Sequence, residues 1–255
     1  FVENVFEALS RPGQWYMDRR AGRLYYIPKP GETPARTQVV APFLKEILRL
    51  EGTEKCPVRA IRFEGIAFAH SEAVMPRSYA GSNQAANEVP GAIRLRHAEF
   101  CRFDRCRVEH VGNYGVELRE HCRQISITRS TIRDLAAGGV KIWHGCRSNE
   151  VSDCRVADGG HVYLSAVGIL VGRSSGNRIV HNHIHDFYYT GVSVGWLWGY
   201  LESDTYGNIV EWNHIHDIGK FKLSDMGGIY TLGIQPGTRL RFNLIHDINS
   251  RTYGG

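Results

Sequence analysis

A pentapeptide that recurs at nearly constant spacing limits the folds open to this chain more than any other feature. The sequence NHIHD occupies residues 182–186 and 213–217, and NLIHD occupies residues 243–247, so the starts lie 31 and 30 residues apart. Weaker copies precede them, namely CRVAD at 154–158, STIRD at 130–134, CRVEH at 106–110 and IAFAH at 66–70. Repeats of this length are typical of solenoids, in which each repeat forms one coil of a stack.

Two columns of residues fix the register of the repeat. The third residue of every copy is apolar: Phe68, Val108, Ile132, Val156, Ile184, Ile215 and Ile245. A glycine followed by alternating residues closes five copies, at Gly115, Gly139, Gly168, Gly191 and Gly228. The alternation predicts short strands, and no helical run separates them, which excludes βαβ units. We therefore predict an all-β fold, a parallel β-helix whose coils rise by about 4.8 Å, right-handed as parallel crossovers are.

The chain is predicted to divide into an N-terminal hairpin and linker segment (residues 1–56) and the β-helix (residues 57–255). Residues 15–27 form the predicted β-hairpin, which turns at Ala21 and Gly22. Residues 39–52 are expected to hold a short strand or a helical turn. Residues 71–90 interrupt the repeat and are rich in Gly, Ser and Asn, which predicts an exposed loop at the rim of a binding site.

Several polar columns are predicted to be structural. Asn ladders are expected at turns, where side-chain amides bond to the coils above and below: Asn149, Asn177, Asn208, and Asn182, Asn213, Asn243. His185, His216 and His246 alternate with inward isoleucines, so they should point outward and stack. Packing is expected there rather than metal binding, and the sequence predicts no metal and no cofactor.

Composition narrows the function classes. The formal net charge is +5, but the excess is scattered over single arginines, so nucleic acid is not a predicted partner. No apolar run reaches about 18 residues, so no segment is predicted to span a membrane. The chain does not start with Met, and we interpret it as a fragment of a secreted, extracellular or periplasmic protein, truncated at the C-terminal end of its β-helix.

The six cysteines are expected to be mostly buried free thiols. Cys122 and Cys146 are 24 residues apart, which is one coil, so their backbones lie within disulfide range. Whether this pair is bonded stays open at the level of the sequence.

One face of the coil carries the candidate binding residues. The middle residue of each strand after the glycine should point out of the barrel, and these residues are Arg94, Glu117, Lys141, Leu170, Ser193 and Tyr230. Beside them lie Trp143, His144, Trp196 and Trp198. Exposed aromatic rings next to charged groups suit a sugar, whose C–H faces stack on rings and whose hydroxyls bond to polar ends. Alternatively, some of the tryptophans only cover the loop at 195–207.

Asp225 is the predicted catalytic carboxylate. It lies outside the ladder columns, in the stretch LSDMGGIY at 223–230, and the two glycines that follow permit close approach of a ligand. A partner carboxylate would come from a loop, as Glu202 or Asp204, or from an adjacent coil. The alternative is that Asp225 caps a turn by accepting from the amides of Gly227 and Gly228.

The stretch NxIHDIG…LSDMGGIYTLG…QPGT…NLIHDI…YGG resembles the β-helix glycosidases of glycoside hydrolase family 141. The N-terminal ENVFEAL…RPGQWYMD…GRLYYIPKPGE resembles the segment that precedes their helix, so the likeness covers nearly the whole chain. The resemblance implies a right-handed β-helix acting on xylan or on fucosides of pectin through two aspartates. One of them matches Asp225, and the other is implied in the next coil, beyond residue 255.

Three functions follow from these observations. The first is a glycoside hydrolase that acts on plant cell-wall polysaccharide (xylan or fucosylated pectin) by carboxylate acid/base catalysis, with carbohydrate as its only predicted partner. The second is a polysaccharide lyase, for which Lys141 or Arg94 would be the base. The third is a non-catalytic carbohydrate-binding or adhesive β-helix.

Overall fold

The structure is a computed structural model that describes residues 5–33, 35–73 and 83–252. The chain divides into two compact units, residues 1–41 and residues 42–255. Residues 42–56, assigned to the N-terminal segment by the sequence prediction, thus belong to the second unit. The reason is a strand at Leu48–Glu51, which pairs in parallel with Gly91–Arg96 and so forms part of the first coil.

The described residues contain one short 3-10 helix, Phe6–Ala8, and otherwise strands. In chain order these are β1 (Trp15–Asp18), β2 (Arg23–Tyr26), β3 (Leu48–Glu51), β4 (Val58–Arg59), β5 (Arg62–Glu64), β6 (Ala67–Ser71), β7 (Gly91–Arg96), β8 (Ala98–Glu99), β9 (Arg102–Asp104), β10 (Arg107–Val111), β11 (Tyr114–Arg119), β12 (Ser126–Thr128), β13 (Thr131–Leu135), β14 (Val140–Trp143), β15 (Glu150–Ser152), β16 (Arg155–Gly159), β17 (Val167–Gly172), β18 (Arg178–Val180), β19 (His183–Phe187), β20 (Thr190–Gly195), β21 (Ile209–Glu211), β22 (His214–Ile218), β23 (Ile229–Leu232), β24 (Arg239–Arg241) and β25 (Leu244–Ile245). None of the described helices is long and apolar enough to cross a membrane.

The N-terminal unit is built on the predicted hairpin. Strands β1 and β2 pair antiparallel, with Asp18 opposite Arg23. The Asp18 carboxylate accepts from the amide of Ala21 at 2.9 Å, and Gly22 takes the positive φ of 63° that the tight turn requires. Phe6 packs edge-on against Tyr25, with the ring centroids 4.8 Å apart.

The second unit is a parallel β-helix with three sheets. Sheet A consists of β6, β10, β13, β16, β19, β22 and β25; sheet B of β3, β7, β11, β14, β17, β20 and β23; and sheet C of β5, β9, β12, β15, β18, β21 and β24. All of these strands pair in parallel with the equivalent strand of the next coil, and β4 pairs with β8 beside them.

The predicted apolar column occupies the centre of sheet A in the predicted register. Val108 pairs with Phe68 and Ile132, and the pairing continues through Val156, Ile184, Ile215 and Ile245. All but the last are buried; Ile245 is 41% exposed because no further described strand lies above it. From Val108 onward the column is therefore a stack of β-branched residues, each touching its equivalents in the neighbouring coils.

The glycine column exists because it faces this apolar column across the barrel. A Cβ on Gly139 would lie 2.2 Å from Cγ1 of Val156, and one on Gly191 would lie 2.5 Å from Cγ2 of Ile215. Gly115, Gly168 and Gly228 meet the same obstacle. Any side chain here would collide with the core of the next coil.

The Asn ladders are confirmed. Asn149 Nδ2 donates to Asn177 Oδ1 at 3.0 Å, and Asn177 Nδ2 donates to Asn208 Oδ1 at 3.0 Å. The second ladder joins Asn182, Asn213 and Asn243 in the same way. The fifth residue of the repeat turns the chain in the left-handed conformation, with φ of 52° to 62° at Asp134, Asp158, Asp186, Asp217 and Asp247. Aspartate tolerates this conformation better than most residues, which explains its recurrence.

All six cysteines are free thiols. Cys122 and Cys146 are buried, and each donates to a carbonyl three residues earlier, at 3.2 Å and 3.1 Å. The two residues are therefore free thiols and do not form a disulfide.

Candidate functional site

Sheet B carries a second apolar layer on its outer face. This layer includes Ala85, Ala86 and Val89 of the interrupting segment together with Tyr163, Val167 and Leu170. Tyr114 anchors this layer to sheet B, because its hydroxyl donates to the carbonyl of Ala85 at 2.6 Å. The prediction of an exposed rim is therefore wrong for Ala85, Ala86 and Val89, which are buried, whereas Glu88 is exposed; residues 74–82 lie outside the described residues.

Glu117 and Lys141 lie beneath this layer rather than on a groove. Each is only 1% exposed, although both point out of the barrel as predicted. Lys141 Nζ lies 2.9 Å from Glu117 Oε1 and donates to the carbonyl of Val89 at 2.5 Å. Arg94 Nε lies 3.2 Å from Glu117 Oε2. Burial lowers the pKa of Lys141, and the carboxylate beside it opposes that shift. These residues hold the covering segment in place, and the predicted sugar contact is wrong for both.

The tryptophans divide into covered and exposed ones. Trp196 is 4% exposed, and its indole nitrogen donates to the Ser193 hydroxyl at 3.0 Å, so it does not present a stacking face to solvent. Trp143 is half-buried, and its ring lies 6.0 Å from that of Trp196. Trp198 is 61% exposed. Only Trp198 keeps the open ring face that was predicted for sugar binding.

A charged cleft of about 820 Å³ opens where strands β11, β14 and β17 of sheet B end. Its lining comprises Arg119, Glu120, His121, His144, Gly145, Arg173, Leu197, Glu202, Ser203 and Asp204. His144, predicted to contact sugar, lies in this cleft. Burial, followed by Arg119 and Arg173, lowers the pKa of His144, which favours a neutral imidazole at neutral pH.

Asp225 lies outside this cleft, ahead of the amino end of β23, so Glu202 and Asp204 are not grouped with it. The Tyr230 hydroxyl donates to Asp225 Oδ1 at 3.2 Å, and Gln84 Nε2 lies 3.5 Å from Asp225 Oδ2. Gln84 Nε2 also donates to the Tyr189 hydroxyl at 2.8 Å. We call Gln84, Tyr189, Asp225 and Tyr230 the aspartate cluster. Its carboxylate is exposed, with two polar neighbours that can orient it.

The turn-capping alternative for Asp225 receives no support. The amide of Gly227 points to the Thr190 hydroxyl, at 3.5 Å, and not to the Asp225 carboxylate. Asp225 itself has a φ of 52°, in the left-handed region that the repeat-turn aspartates also occupy.

Sequence reasoning missed Gln84 and Tyr189. Gln84 is 141 residues from Asp225 and reaches it because the covering segment folds over sheet B. The available signal was that residues 71–90 interrupt the repeat, but no pattern within that segment singles out Gln84.

The comparisons with known proteins agree on the architecture. A family model described as a right-handed β-helix region matches residues 91–253, which confirms the predicted handedness. A solved structure titled "Glycoside hydrolase" is 26% identical, with a TM-score of 0.87; the match covers 98% of this chain and 50% of that one. The chain thus spans about half the length of that structure. No curated protein matches the sequence.

Two further solved structures have much lower similarity. They are the A-modules of the mannuronan C-5 epimerases AlgE6 and AlgE4 of Azotobacter vinelandii, with identities of 14% and 11% and TM-scores of 0.34 and 0.40. The matches cover 76% and 77% of this chain, and 55% and 65% of those chains. At these TM-scores the two likenesses carry no argument.

Proposed function

Because this chain belongs to the right-handed β-helix family, we propose that it is the β-helix part of a glycoside hydrolase and that Asp225 is one of its catalytic carboxylates. The observation that carries the proposal is the 26% identity to a glycoside hydrolase over 98% of the chain, at a TM-score of 0.87. The resemblance to family 141 supports xylan or fucosylated pectin as the substrate class.

The aspartate cluster suits one half of the reaction. Glycoside hydrolysis uses one carboxyl group as the acid and a second as nucleophile or base. Asp225 supplies one of them, and the Tyr230 hydroxyl that donates to its carboxylate orients it. The second carboxylate is proposed to come from a coil beyond β25.

The lyase alternative is weakened by the surroundings of Lys141. Its ammonium group is buried, ion-paired with Glu117 and bonded to two carbonyls of the covering segment, at 2.9 Å and 2.5 Å. A base must reach a substrate proton, and Lys141 is only 1% exposed beneath the described part of that segment. Arg94 is paired with Glu46 at 3.1 Å and with Glu117.

The test is Asp225→Asn in the protein that carries all coils, assayed for reducing sugar from xylan and from fucosylated pectin fragments. The substitution keeps the size of the side chain and removes its charge, so turnover should fall by about 10²- to 10⁴-fold, as for loss of a general acid or base. Asp153→Asn is the matched control, because Asp153 is also exposed and has a φ of 53°. It should leave turnover unchanged.

Two outcomes would contradict the proposal. Unchanged turnover in Asp225→Asn would remove Asp225 from the mechanism. Binding of the polysaccharide by the wild type without release of any sugar would favour the non-catalytic carbohydrate-binding alternative, with the exposed ring of Trp198 as its contact.

A further inference from the structure

Five histidines converge on the outer face of sheet A, away from the aspartate cluster. His183 and His185 belong to β19, His214 and His216 to β22, and His246 follows β25. The strand register places His183 beside His214 and His185 beside His216. The rings of each of these pairs are stacked, with centroids 5.0 Å apart. We call these five residues the histidine ladder.

In each of these repeats, the aspartate at the fifth position forms a hydrogen bond with the histidine at the fourth position. His216 Nδ1 lies 2.7 Å from Asp217 Oδ2, and His246 Nδ1 lies 2.7 Å from Asp247 Oδ2. A carboxylate accepts only, so Nδ1 carries the proton and Nε2 keeps its lone pair. This arrangement of carboxylate, imidazole and free Nε2 is the one found around metal-ligating histidines.

The Nε2 atoms of His216 and His246 point at His183 and His214, which hold the second position of the pentapeptide in the preceding coil. Nε2 of His216 lies 2.7 Å from Nε2 of His183, and Nε2 of His246 lies 2.7 Å from Nε2 of His214. His183, His214 and His216 each offer one ligand atom, and these atoms all lie within 4.8 Å of one another. Each of the three is half-buried, so the group remains reachable from solvent.

His185 does not offer an available Nε2 atom. Its Nδ1 faces Asp186 at 2.7 Å, but its Nε2 accepts from Arg155 Nε at 3.1 Å. Asp186 is also paired with Lys220, at 2.6 Å. The group that can bind a ligand is therefore the trio on two adjacent coils, with His246 one coil further on.

We propose that His183, His214 and His216 form a binding site for one divalent transition-metal ion of the imidazole-preferring class, such as Zn²⁺, Co²⁺ or Ni²⁺. In its absence the short Nε2–Nε2 contact is an N–H···N hydrogen bond. When the metal ion binds, the proton leaves Nε2 and, by exchange with solvent, Nδ1 of the same ring is protonated, so both imidazoles bind as neutral ligands. Ligand nitrogens about 2.0–2.1 Å from one tetrahedral ion lie roughly 3.3 Å apart, so His183 and His216 need to separate by only about 0.6 Å. The ligand atom of His214, which lies within 4.8 Å of the other two, must approach them by up to about 1.5 Å. The bound ion clamps β19 to β22.

Simple packing of imidazoles is the competing explanation. It accounts for the parallel stacks at 5.0 Å, which also occur at His70 and His110 on the same sheet. It does not require three ring nitrogens to converge. Nor does it require a carboxylate on Nδ1 of the histidine whose Nε2 faces the others. Burial and the neighbouring imidazoles lower the pKa of His183 to about 4 and also lower that of His214, in keeping with neutral rings.

The experiment uses the untagged chain after treatment with a chelator. Zn²⁺ is titrated by calorimetry, and Co²⁺ is titrated while its visible absorption bands are recorded, because these bands report coordination geometry independently of activity. One ion per chain and a rise of Tm with metal concentration are expected. His214→Ala should abolish the stoichiometric binding, and Asp217→Asn should weaken it by about 10- to 100-fold.

His181→Ala is the matched control, since this exposed histidine lies two residues before His183 and stacks on Trp212 instead. It should bind like the wild type. Circular dichroism of each metal-free variant, with His216→Gln as a second ligand variant, separates loss of a ligand from loss of the fold. Absence of stoichiometric binding by the wild type would overturn the proposal. Undiminished binding by His214→Ala would overturn it too and would direct attention to Asp134, Asp158 and His161, a second group with suitable spacing among the described residues.

Discussion

At the scale of single residues, the buried pair of Glu117 and Lys141 is the least expected feature of the chain. Charged side chains are almost never fully buried unless they are paired, and here the pairing includes Arg94 and two backbone carbonyls. The pair anchors the covering segment above sheet B. That segment also delivers Gln84 to Asp225, so the pair stabilises the candidate site indirectly.

Removing one partner of this pair should be costly. Glu117→Ala leaves the Lys141 ammonium buried without its counter-ion, and we expect a loss of about 3–5 kcal/mol in the free energy of unfolding, measured by urea denaturation. Glu120→Ala removes a carboxylate paired with Arg96 at the half-exposed end of the same strand and should cost about 1 kcal/mol or less. Equal losses in the two variants would show that the buried pair has no special role.

The sequence singles out Asp225 as a candidate but does not predict its surroundings. Asp225 stood out because it lies outside every column of the repeat and precedes two glycines. Gln84 and Tyr189 could not be found, since their proximity depends on how a non-repetitive segment folds back over the coil. The burial of Trp196 could not be predicted either, because the sequence around a tryptophan beside a strand is the same whether its ring is exposed or covered.

At the scale of the strand, the repeat specifies structure through residue size rather than polarity alone. The glycine column of sheet B faces the β-branched column of sheet A at distances that exclude a Cβ. Both columns were predictable, because a period-two pattern with a fixed glycine determines which side chains meet inside a coil. The second apolar layer was not predictable, because outward positions of a strand are polar by default and nothing in the repeat marks them as covered.

Alanine in the glycine column should therefore destabilise the fold by an amount that depends on what it meets. In Gly191→Ala the new Cβ meets Cγ2 of Ile215 at 2.5 Å, and Ile215 is fully buried and cannot move aside. We expect a loss of about 1–3 kcal/mol, as for overpacking of a core. In Gly228→Ala the Cβ meets Cγ2 of Ile245 at 2.4 Å, but Ile245 is 41% exposed and can shift.

Gly228→Ala is thus the matched control, and its loss should be the smaller of the two in thermal or urea unfolding. A larger loss in Gly228→Ala than in Gly191→Ala would contradict this account of the column.

At the scale of the whole solenoid, the strands of each coil pair only with those of the coils above and below, and the covering segment reaches across several coils in the part of the chain that the structure describes. The Asn ladders and the apolar column repeat the same contacts at every step, so local stability depends on having a coil on both sides. The start of the solenoid could not be predicted from the sequence. Strand β3 carries no copy of the pentapeptide, and only its pairing with β7 reveals that it belongs to the first coil.

Native-state hydrogen exchange of this 255-residue chain should accordingly vary along the stack. Strands β11, β14, β17 and β20 lie between coils and are buried along nearly their whole length, under the second apolar layer. Their amides should open only with global unfolding and exchange most slowly. The amides of β5, β24 and β25, whose residues are mostly exposed, should open locally at a much smaller free energy. Mass spectrometry of peptic fragments resolves these strands. Uniform protection from β5 to β25 would mean that the solenoid opens as one cooperative unit, and the nearest-neighbour description of its stability would then be wrong.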